Sequence, residues 1–496
     1  LLLADRGPLA SSLGQWAHTA LGLRALGDWA LIFMTLVVVA ITVEAGGLVN
    51  VAPGCWVSFL GAPLVFAAAR LLLPKKTRSL AEALLPGWAE ILVIVVVMAA
   101  LLFGTAYALN LADAWEFVLF LVFATAVAII GTRAGLLAWL GHISSRRKRV
   151  LILASFAVAF LFPLTQGGSD ANMSIAAQVL VFASAAMGLN IVVGLAGLLD
   201  LGYIAFLGAG AYVGASLSTS AFATIGWKPP FLVVVLTGAC VSATLGLIIG
   251  APTLRVSGDY LAIVTLGFGE IFRLSMFNLD GNNGPNLTHG PNGIPAIPDL
   301  TIGSFNFGDT HTLLGIPLAR FSNYSFLLLV LIAFIILVFS RLNNSRIGRG
   351  WVAIREDEKA AEAMGVNVFG LKILAFVVGA FLAGMAGTIK AHQDVSVTPD
   401  QYIFLESAFL LAAIVLGGMG TIAGVLIGAM ILKLLPEKLR FFADYRLLLF
   451  GLLLVLMMRF RPEGLIASKR RQLEFHEDDE ELAVRIETNH AEDVKA

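Results

Sequence analysis

The sequence is poor in charge. Asp, Glu, Lys and Arg together make up 13% of its 496 residues, about half the share usual in soluble domains. With 58% hydrophobic residues and a mean hydropathy of +0.88, it carries more apolar surface than one water-facing core hides, and the bilayer is the solvent that suits it. Cysteine is scarce. Cys55 and Cys240 each stand in an apolar run and read as small core residues rather than a disulfide. The seven histidines are scattered, with no pair at helical spacing, so neither a metal site nor another cofactor is expected. Basic and acidic residues balance at 33 each, without the basic surplus a nucleic-acid partner would require. No Gly-x-x-x-x-Gly-Lys-Ser/Thr loop is present to cradle phosphates, and no Ser/His/Asp or Cys/His set stands in a believable context. The chain is therefore not expected to be an enzyme in its own right.

What the sequence does have is a long series of apolar runs. About fourteen are of near-spanning length. Four lie near 29–49, 55–73, 88–109 and 114–131. Ten follow near 150–164, 174–193, 203–222, 231–250, 260–278, 325–340, 371–391, 405–416, 421–435 and 447–458. The runs 405–416 and 421–435, joined by Gly417-Gly418-Met419-Gly420, are short enough to be broken or partial spans. The expected fold is an all-α polytopic integral membrane protein of about 14 transmembrane helices. No basic segment followed by a small-residue cleavage site opens the sequence, so the first span is expected to serve as the insertion signal.

Basic residues cluster at 70–78, 146–149, 341–349 and 469–471, whereas loops such as 166–172 and 278–298 are almost free of them. Lys and Arg accumulate on the cytoplasmic side. Fourteen alternating crossings bring all four clusters to that side and leave both termini in the cytoplasm. The cluster at 146–149 also marks a boundary between a four-helix N-terminal unit, 1–145, and a ten-helix core, 146–467. The stretch 468–496 is polar and acidic and reads as a disordered cytoplasmic tail.

One segment on that side is unusual. Residues 349–364 form a predicted helix of about four turns that is far too charged to cross lipid, with Gly365 placed as its C-terminal cap. Arg355 and Glu358 are spaced to pair across one turn, as are Lys359 and Glu362. Trp351, Ile354, Ala361 and Met364 fall near one face, which offers a partner a small apolar surface; the alternative is a solvated loop helix with no partner.

Two glycine-rich stretches stand out, Gly194, Gly197, Gly202, Gly208, Gly210 and Gly214 in one, and Gly417, Gly418, Gly420, Gly424 and Gly428 in the other. Such spacing permits close helix packing, or an unwound backbone facing a passing solute. Glu270 and Arg273, three apart on one predicted helix, form either a structural pair or a contact for a zwitterion. Glu406 and Glu44 have no partner visible in the sequence. The stretch 280–323, rich in Gly, Pro and Asn, is too long for a passive turn.

Several blocks carry a resemblance. They are Gly194-Leu-Ala-Gly-Leu-Leu-Asp-Leu-Gly-Tyr-Ile-Ala-Phe, Leu254-Arg-Val-Ser-Gly-Asp-Tyr-Leu-Ala-Ile-Val-Thr-Leu-Gly-Phe-Gly-Glu, Gly290-Pro-Asn-Gly-Ile, Ala353-Ile-Arg-Glu-Asp-Glu-Lys-Ala-Ala, Leu416-Gly-Gly-Met-Gly and Phe460-Arg-Pro-Glu-Gly-Leu. In this order, over roughly 170–467, they resemble the LivM-type permease subunits of branched-chain amino acid ABC importers, some of which also carry an N-terminal extension. In the general importer signature a Glu precedes the paired alanines, whereas Lys359 stands there in this chain.

The resemblance implies that the loop 341–371 docks on an ATPase through Arg349, Trp351, Ile354, Arg355, Glu356, Asp357, Glu358, Ala360, Ala361, Met364 and Gly365. It makes Gly194, Gly197, Gly202, Glu270, Arg273, Gly417, Gly418 and Gly420 candidates for the translocation path. The implied setting is the bacterial inner membrane. The implied partners are the lipid bilayer, a second homologous permease, two cytoplasmic ABC ATPases and an extracytoplasmic binding protein, which the stretch 280–323 would help receive if it is not a plain lid. The implied cargo is leucine, isoleucine or valine. Permeases for urea or short-chain amides look much alike, and an ion-coupled secondary transporter is the rival of another class.

Overall fold

The computed structural model describes residues 19–44, 47, 51–71, 86–111, 113–218, 220–223, 225–253, 259–282, 285–313, 315–438, 446–460 and 463–466. The expected acidic tail, the cluster at 469–471 and nearly all of the cluster at 70–78 lie outside the described residues.

The described chain is helical almost throughout. Its helices are α1 Thr19–Glu44, α2 Pro53–Arg70, α3 Gly87–Asn110, α4 Ala114–Arg133, α5 Leu136–Arg146, α6 Lys148–Thr165, α7 Asp170–Asn190, α8 Ile204–Ser216, α9 Phe231–Thr253, α10 Asp259–Asn278, α11 Arg320–Asn343, α12 Arg346–Glu356, α13 Glu358–Ala363, α14 Val368–Asp394, α15 Phe404–Gly417, α16 Ile422–Lys438 and α17 Arg446–Phe460. Two small antiparallel hairpins interrupt them, β1 Thr301–Ile302 with β2 Phe305–Asn306 and β3 His311–Leu313 with β4 Ile316–Leu318. Among the described residues ten segments are long and apolar enough to span a bilayer: Leu21–Glu44, Gly87–Asn110, Ala114–Arg133, Lys148–Thr165, Asp170–Leu195, Phe231–Ala251, Tyr260–Asn278, Arg320–Asn343, Val368–Asp394 and Pro399–Gly417. Ile204–Ser216 is a shorter apolar helix. The run 405–416, expected to be a broken or partial span, reaches spanning length as Pro399–Gly417 because a 3₁₀ turn at Pro399–Tyr402 precedes α15.

The chain forms two compact units. The first comprises the described parts of Leu1–Met173, His311–Ser322 and Glu437–Ala443. In it α1 lies against α2 and α4, and α3 against α6. A Cβ on Gly27 would come 2.9 Å from the Phe66 Cα, so a bare backbone sets how closely α1 and α2 approach. Glu90 in the first turn of α3 is 3% exposed. It accepts from Arg147 Nε at 2.8 Å and Arg146 Nη1 at 3.2 Å. A carboxylate taken out of water needs such charge-assisted partners. The basic cluster at 146–149 is thus anchored to α3.

The second unit comprises the described parts of Ser174–Thr310, Asn323–Pro436 and Asp444–Ala496. At its centre α14 packs against α9 and α8 through small residues. A Cβ on Gly387 would lie 1.9 Å from the Leu207 carbonyl oxygen, one on Gly210 2.1 Å from that of Gly384, and one on Gly384 2.5 Å from Ser242 Oγ. The hydroxyls at this seam are satisfied: Ser242 donates to the Phe206 carbonyl at 2.8 Å, and Thr388 to those of Gly384 at 2.9 Å and Gly210 at 3.1 Å. Helices that lack a hydrophobic drive toward one another in lipid associate by this kind of close contact. For Gly208, Gly210 and Gly214 the packing alternative is the one observed.

Two ionisable groups find partners here. Glu406 on α15 pairs with Lys433 on α16 at 3.0 Å. Glu270 pairs with Arg273 at 2.6 Å, and Arg273 also reaches Asp400 at 3.3 Å.

Gly387→Ala is expected to destabilise the protein by about 1–3 kcal/mol, because the backbone it meets cannot give way. Gly267→Ala, with nothing within 4 Å of its added methyl, is expected to leave the midpoint unchanged or slightly raised. Thermal unfolding of the two purified variants measures the contrast.

Candidate functional site: the surface helices and the glycine turns beneath them

The site is built where α7 stops. After Asn190 the chain widens into a π-helical turn, Ile191–Leu195, a feature that recurs at functional sites. It then runs without regular structure to α8. Groups freed by such a break need partners inside an apolar protein, and the surrounding polar side chains supply them. Asn190 Oδ1 accepts the Gly420 N–H at 2.9 Å, and its Nδ2 donates to the Thr421 carbonyl at 3.4 Å. Thr265 Oγ1 accepts the Leu201 N–H at 3.0 Å. Ser407 Oγ accepts the Ile204 N–H at 2.9 Å, which serves the start of α8.

The turn at Gly417–Gly420 is held from a third side. The Leu465 and Ile466 N–H groups donate to the Leu416 and Gly417 carbonyls at 2.9 and 3.0 Å. Gly418 has φ +118 and Gly420 φ +76, a backbone that side chains rarely adopt. Residues 190–197, 417–421 and 463–466 therefore converge on one junction.

Above it lie two helices rather than the single four-turn helix expected over 349–364. Asp357, at φ −153 and ψ 109, breaks the run, and its side chain caps α13 by accepting the Lys359 and Ala360 N–H groups at 2.9 and 3.0 Å. An Asp that finds two amide donors is better satisfied as an N-cap than inside a helix. Gly365 does close the segment, at φ +83, with the Val366 N–H returning to the Ala361 carbonyl at 3.1 Å.

The apolar face expected to await a partner is mostly turned inward. Trp351, Ile354 and Ala361 are 0%, 5% and 5% exposed. Trp351 also donates its indole N–H to the Leu371 carbonyl at 2.7 Å. Met364 alone of those four side chains is open, at 85% exposure. It shares the outward surface with Arg349, Glu356, Asp357, Lys359, Ala360 and Glu362. Nor does Arg355 pair with Glu358. Arg355 binds Glu356 at 2.6 Å, while Glu358 pairs with Lys372 at 2.6 Å, whose side chain is 4% exposed. The break at Asp357 separates the partners that an unbroken helix would have joined.

Arg355 joins the two levels. Its Nη1 donates to the Gly194 carbonyl at 3.0 Å. Its stem covers Gly197, where an added Cβ would sit 2.4 Å from Arg355 Cγ and where φ is +70. Gly194 is equally confined, 2.1 Å from Asn190 Oδ1 and 2.6 Å from the Gly420 nitrogen by the same measure. Gly202 would meet the Thr265 carbonyl oxygen at 1.9 Å, Gly417 that of Gly424 at 2.0 Å and Gly418 that of Ile466 at 2.1 Å. All five are packed against neighbouring atoms. Glu270 and Arg273, by contrast, pair partway along α10.

Sequence reasoning passed over Asn190, Asp200, Thr265, Lys372 and Ser407. The signal available was a polar residue inside an apolar run. Asp200 is the most unusual of them. It is 1% exposed and its Oδ1 accepts the Gly202 N–H at 2.9 Å, while Oδ2 is buried with no hydrogen-bond partner. Burial pushes its carboxyl up to about 7, with the Gly202 amide holding it from rising further.

Residues 172–458 match the family described as "Branched-chain amino acid transport system / permease component". The chain belongs to that family. It is 39% identical over 345 residues, 67% of this chain and 78% of that protein, to the high-affinity branched-chain amino acid transport system permease protein LivM of Salmonella typhimurium. The Escherichia coli LivM protein is 37% identical over the same share. A shorter match, 32% identical over 128 residues, 25% of this chain and 41% of that protein, is to the Escherichia coli permease protein LivH. No solved structure matches. In this branched-chain amino acid transport permease the junction falls almost wholly inside the matched region, and α1–α6 precede it.

The folded-state value of Asp200 lies above its ordinary 3.8. The folded chain thus holds this proton more tightly than the unfolded one, and stability is lost as pH rises from about 4 through about 7. Asp200→Asn removes that loss, so its unfolding midpoint relative to wild type should be higher at pH 8 than at pH 5. A difference that does not change with pH would show that the carboxyl does not titrate there.

Proposed function

We propose that this chain is the membrane-spanning permease subunit of an ATP-driven importer for the branched-chain amino acids leucine, isoleucine and valine. ATP hydrolysis then resides on separate cytoplasmic ATPase subunits. Family membership supports the cargo class. The observation that carries the coupling role is Arg355, which links a charged surface helix to the Gly194 carbonyl at the break in α7. An ATPase gripping α12 and α13 by Met364 and the surrounding charges would pull, through Arg355, on the turn that ends α7. The glycine turns 194–202 and 417–420 then hinge the translocation path rather than line it. Glu270 and Arg273, paired on α10, are then the candidate contact for the zwitterionic solute.

The remaining parts follow the same reading. A second homologous permease completes the path, in line with the LivH match, and an extracytoplasmic binding protein delivers the amino acid over the stretch 280–323. In the bacterial inner membrane the chain crosses fourteen times. The ten spanning segments are joined by α2, α8, α16 and α17, and both termini face the cytoplasm. Residues 1–145 form an extension, 146–467 the permease core with its coupling loop 341–371, and 468–496 a cytoplasmic tail.

In membranes carrying the assembled importer, Arg355→Ala is expected to cut ATP-driven leucine uptake at least about tenfold, a loss of order 1.4 kcal/mol in coupling, while the ATPases still co-purify. Met364→Asp is expected to release the ATPases. Radiolabelled leucine uptake together with affinity pull-down separates the two. Urea uptake in place of leucine would reassign the cargo, and uptake unaffected by Arg355→Ala would end the coupling role.

A further inference from the structure

The first unit holds a cavity of about 300 Å³ lined by Arg24, Arg70, Arg133, Asp28, Trp29 and Ile129 among others. The three arginines come from three helices. Arg24 lies in the second turn of α1, whereas Arg70 and Arg133 are the last residues of α2 and α4. The helices alternate in direction, so these positions share one end of the bundle. Among the described lining residues Asp28 is the single acid, and it pairs with Arg70 at 2.8 Å. Three positive groups against one negative give the described lining residues a sum of +2.

The level in the bilayer is also marked. Trp29 borders the cavity, and Trp88, in the first turn of α3, is 70% exposed. Tryptophan favours the headgroup zone, and arginines gathered at helix ends favour the cytoplasmic leaflet. A hydrophobic ligand tail would find apolar helix surface leading away from the cavity, since Leu21, which lines it, and Ile32, further along α1, are exposed. Guanidinium groups converging from several directions suit a tetrahedral phosphate oxyanion.

We propose that this cavity binds a phosphate group carried by an anionic phospholipid of the adjoining leaflet, and so gives the N-terminal helices a lipid-binding role. This does not rest on the transport reading. The test uses the full chain in nanodiscs of phosphatidylcholine, with or without phosphatidylglycerol. Retained lipid is counted by native mass spectrometry and the unfolding midpoint is measured in parallel. Phosphatidylglycerol should be retained and should raise the midpoint. Arg133→Gln should weaken that binding about fivefold, the effect of one arginine at an anionic surface, and Arg133→Lys should recover part of it. Arg341→Gln, outside the cavity, should change nothing. Asp28→Asn, which raises the sum over the described lining residues from +2 to +3, should tighten binding, and it serves should Arg133→Gln fail to fold. Equal binding by wild type and Arg133→Gln, equal loss in Arg341→Gln, or weaker binding by Asp28→Asn would overturn the site. Inorganic phosphate giving the same stabilisation in phosphatidylcholine alone would overturn the lipid as its source.

Discussion

A backbone that leaves the helix inside an apolar protein must find a partner for every group it frees, and the second unit is organised by that requirement. Between α7 and α8 the chain gives up regular structure for eight residues, 196–203. The Leu201 and Gly202 amides within it are met by Thr265 from α10 and the Asp200 carboxylate, and the Ile204 amide that opens α8 is met by Ser407 from α15. The Gly194 carbonyl, in the π-helical turn just before it, is met by Arg355 from the surface helix α12. No two of these supports come from the same helix. Movement of any one of them changes the hydrogen bonding of the break, and the break is for that reason a place where several helices are mechanically joined.

Glycine makes such a junction geometrically possible. Between α8, α9 and α14 the glycines let carbonyl and hydroxyl groups approach where a methyl would collide. At the turns they serve a different need, a positive φ at Gly197, Gly418 and Gly420 that lets the chain reverse within one residue. The same residue type thus stiffens the helix seams and shapes the turns between them. A contact seam held by backbone has little room to yield, whereas the hold on the turns depends on side chains such as Asn190 and Arg355.

Much of this was legible in the sequence, and the limits have physical causes. Long apolar runs identify helices because a backbone in lipid has few other options. Gly365 was readable as a cap because an αL glycine after a helix is a local signal. Three features were not. The break at Asp357 depends on a competition between one more helical residue and an N-cap with two donors, which composition does not resolve. The burial of Trp351, Ile354 and Ala361 follows from α12 and α13 lying against the start of α14, a tertiary fact. Helical periodicity locates an apolar face but does not say whether the partner that covers it is the chain itself. The pairs Glu406–Lys433 and Glu358–Lys372 join positions 27 and 14 apart in sequence, beyond the reach of any spacing rule.

The two faces of α12 and α13 divide the work. Inward, Trp351 is locked by packing and an indole hydrogen bond, and the buried Lys372 holds Glu358 in a 2.6 Å ion pair. Breaking a pair with a buried member is costly because it strands a charge away from water. The two helices are therefore tied to the start of α14. Outward, they present exposed charges and one flexible thioether side chain, a surface that a partner can grip without unfolding it. Under the coupling role proposed above, a force applied there would pass to α14 through Glu358 and Lys372 and to the end of α7 through Arg355. The first route ends on a packed helix, the second on a glycine turn.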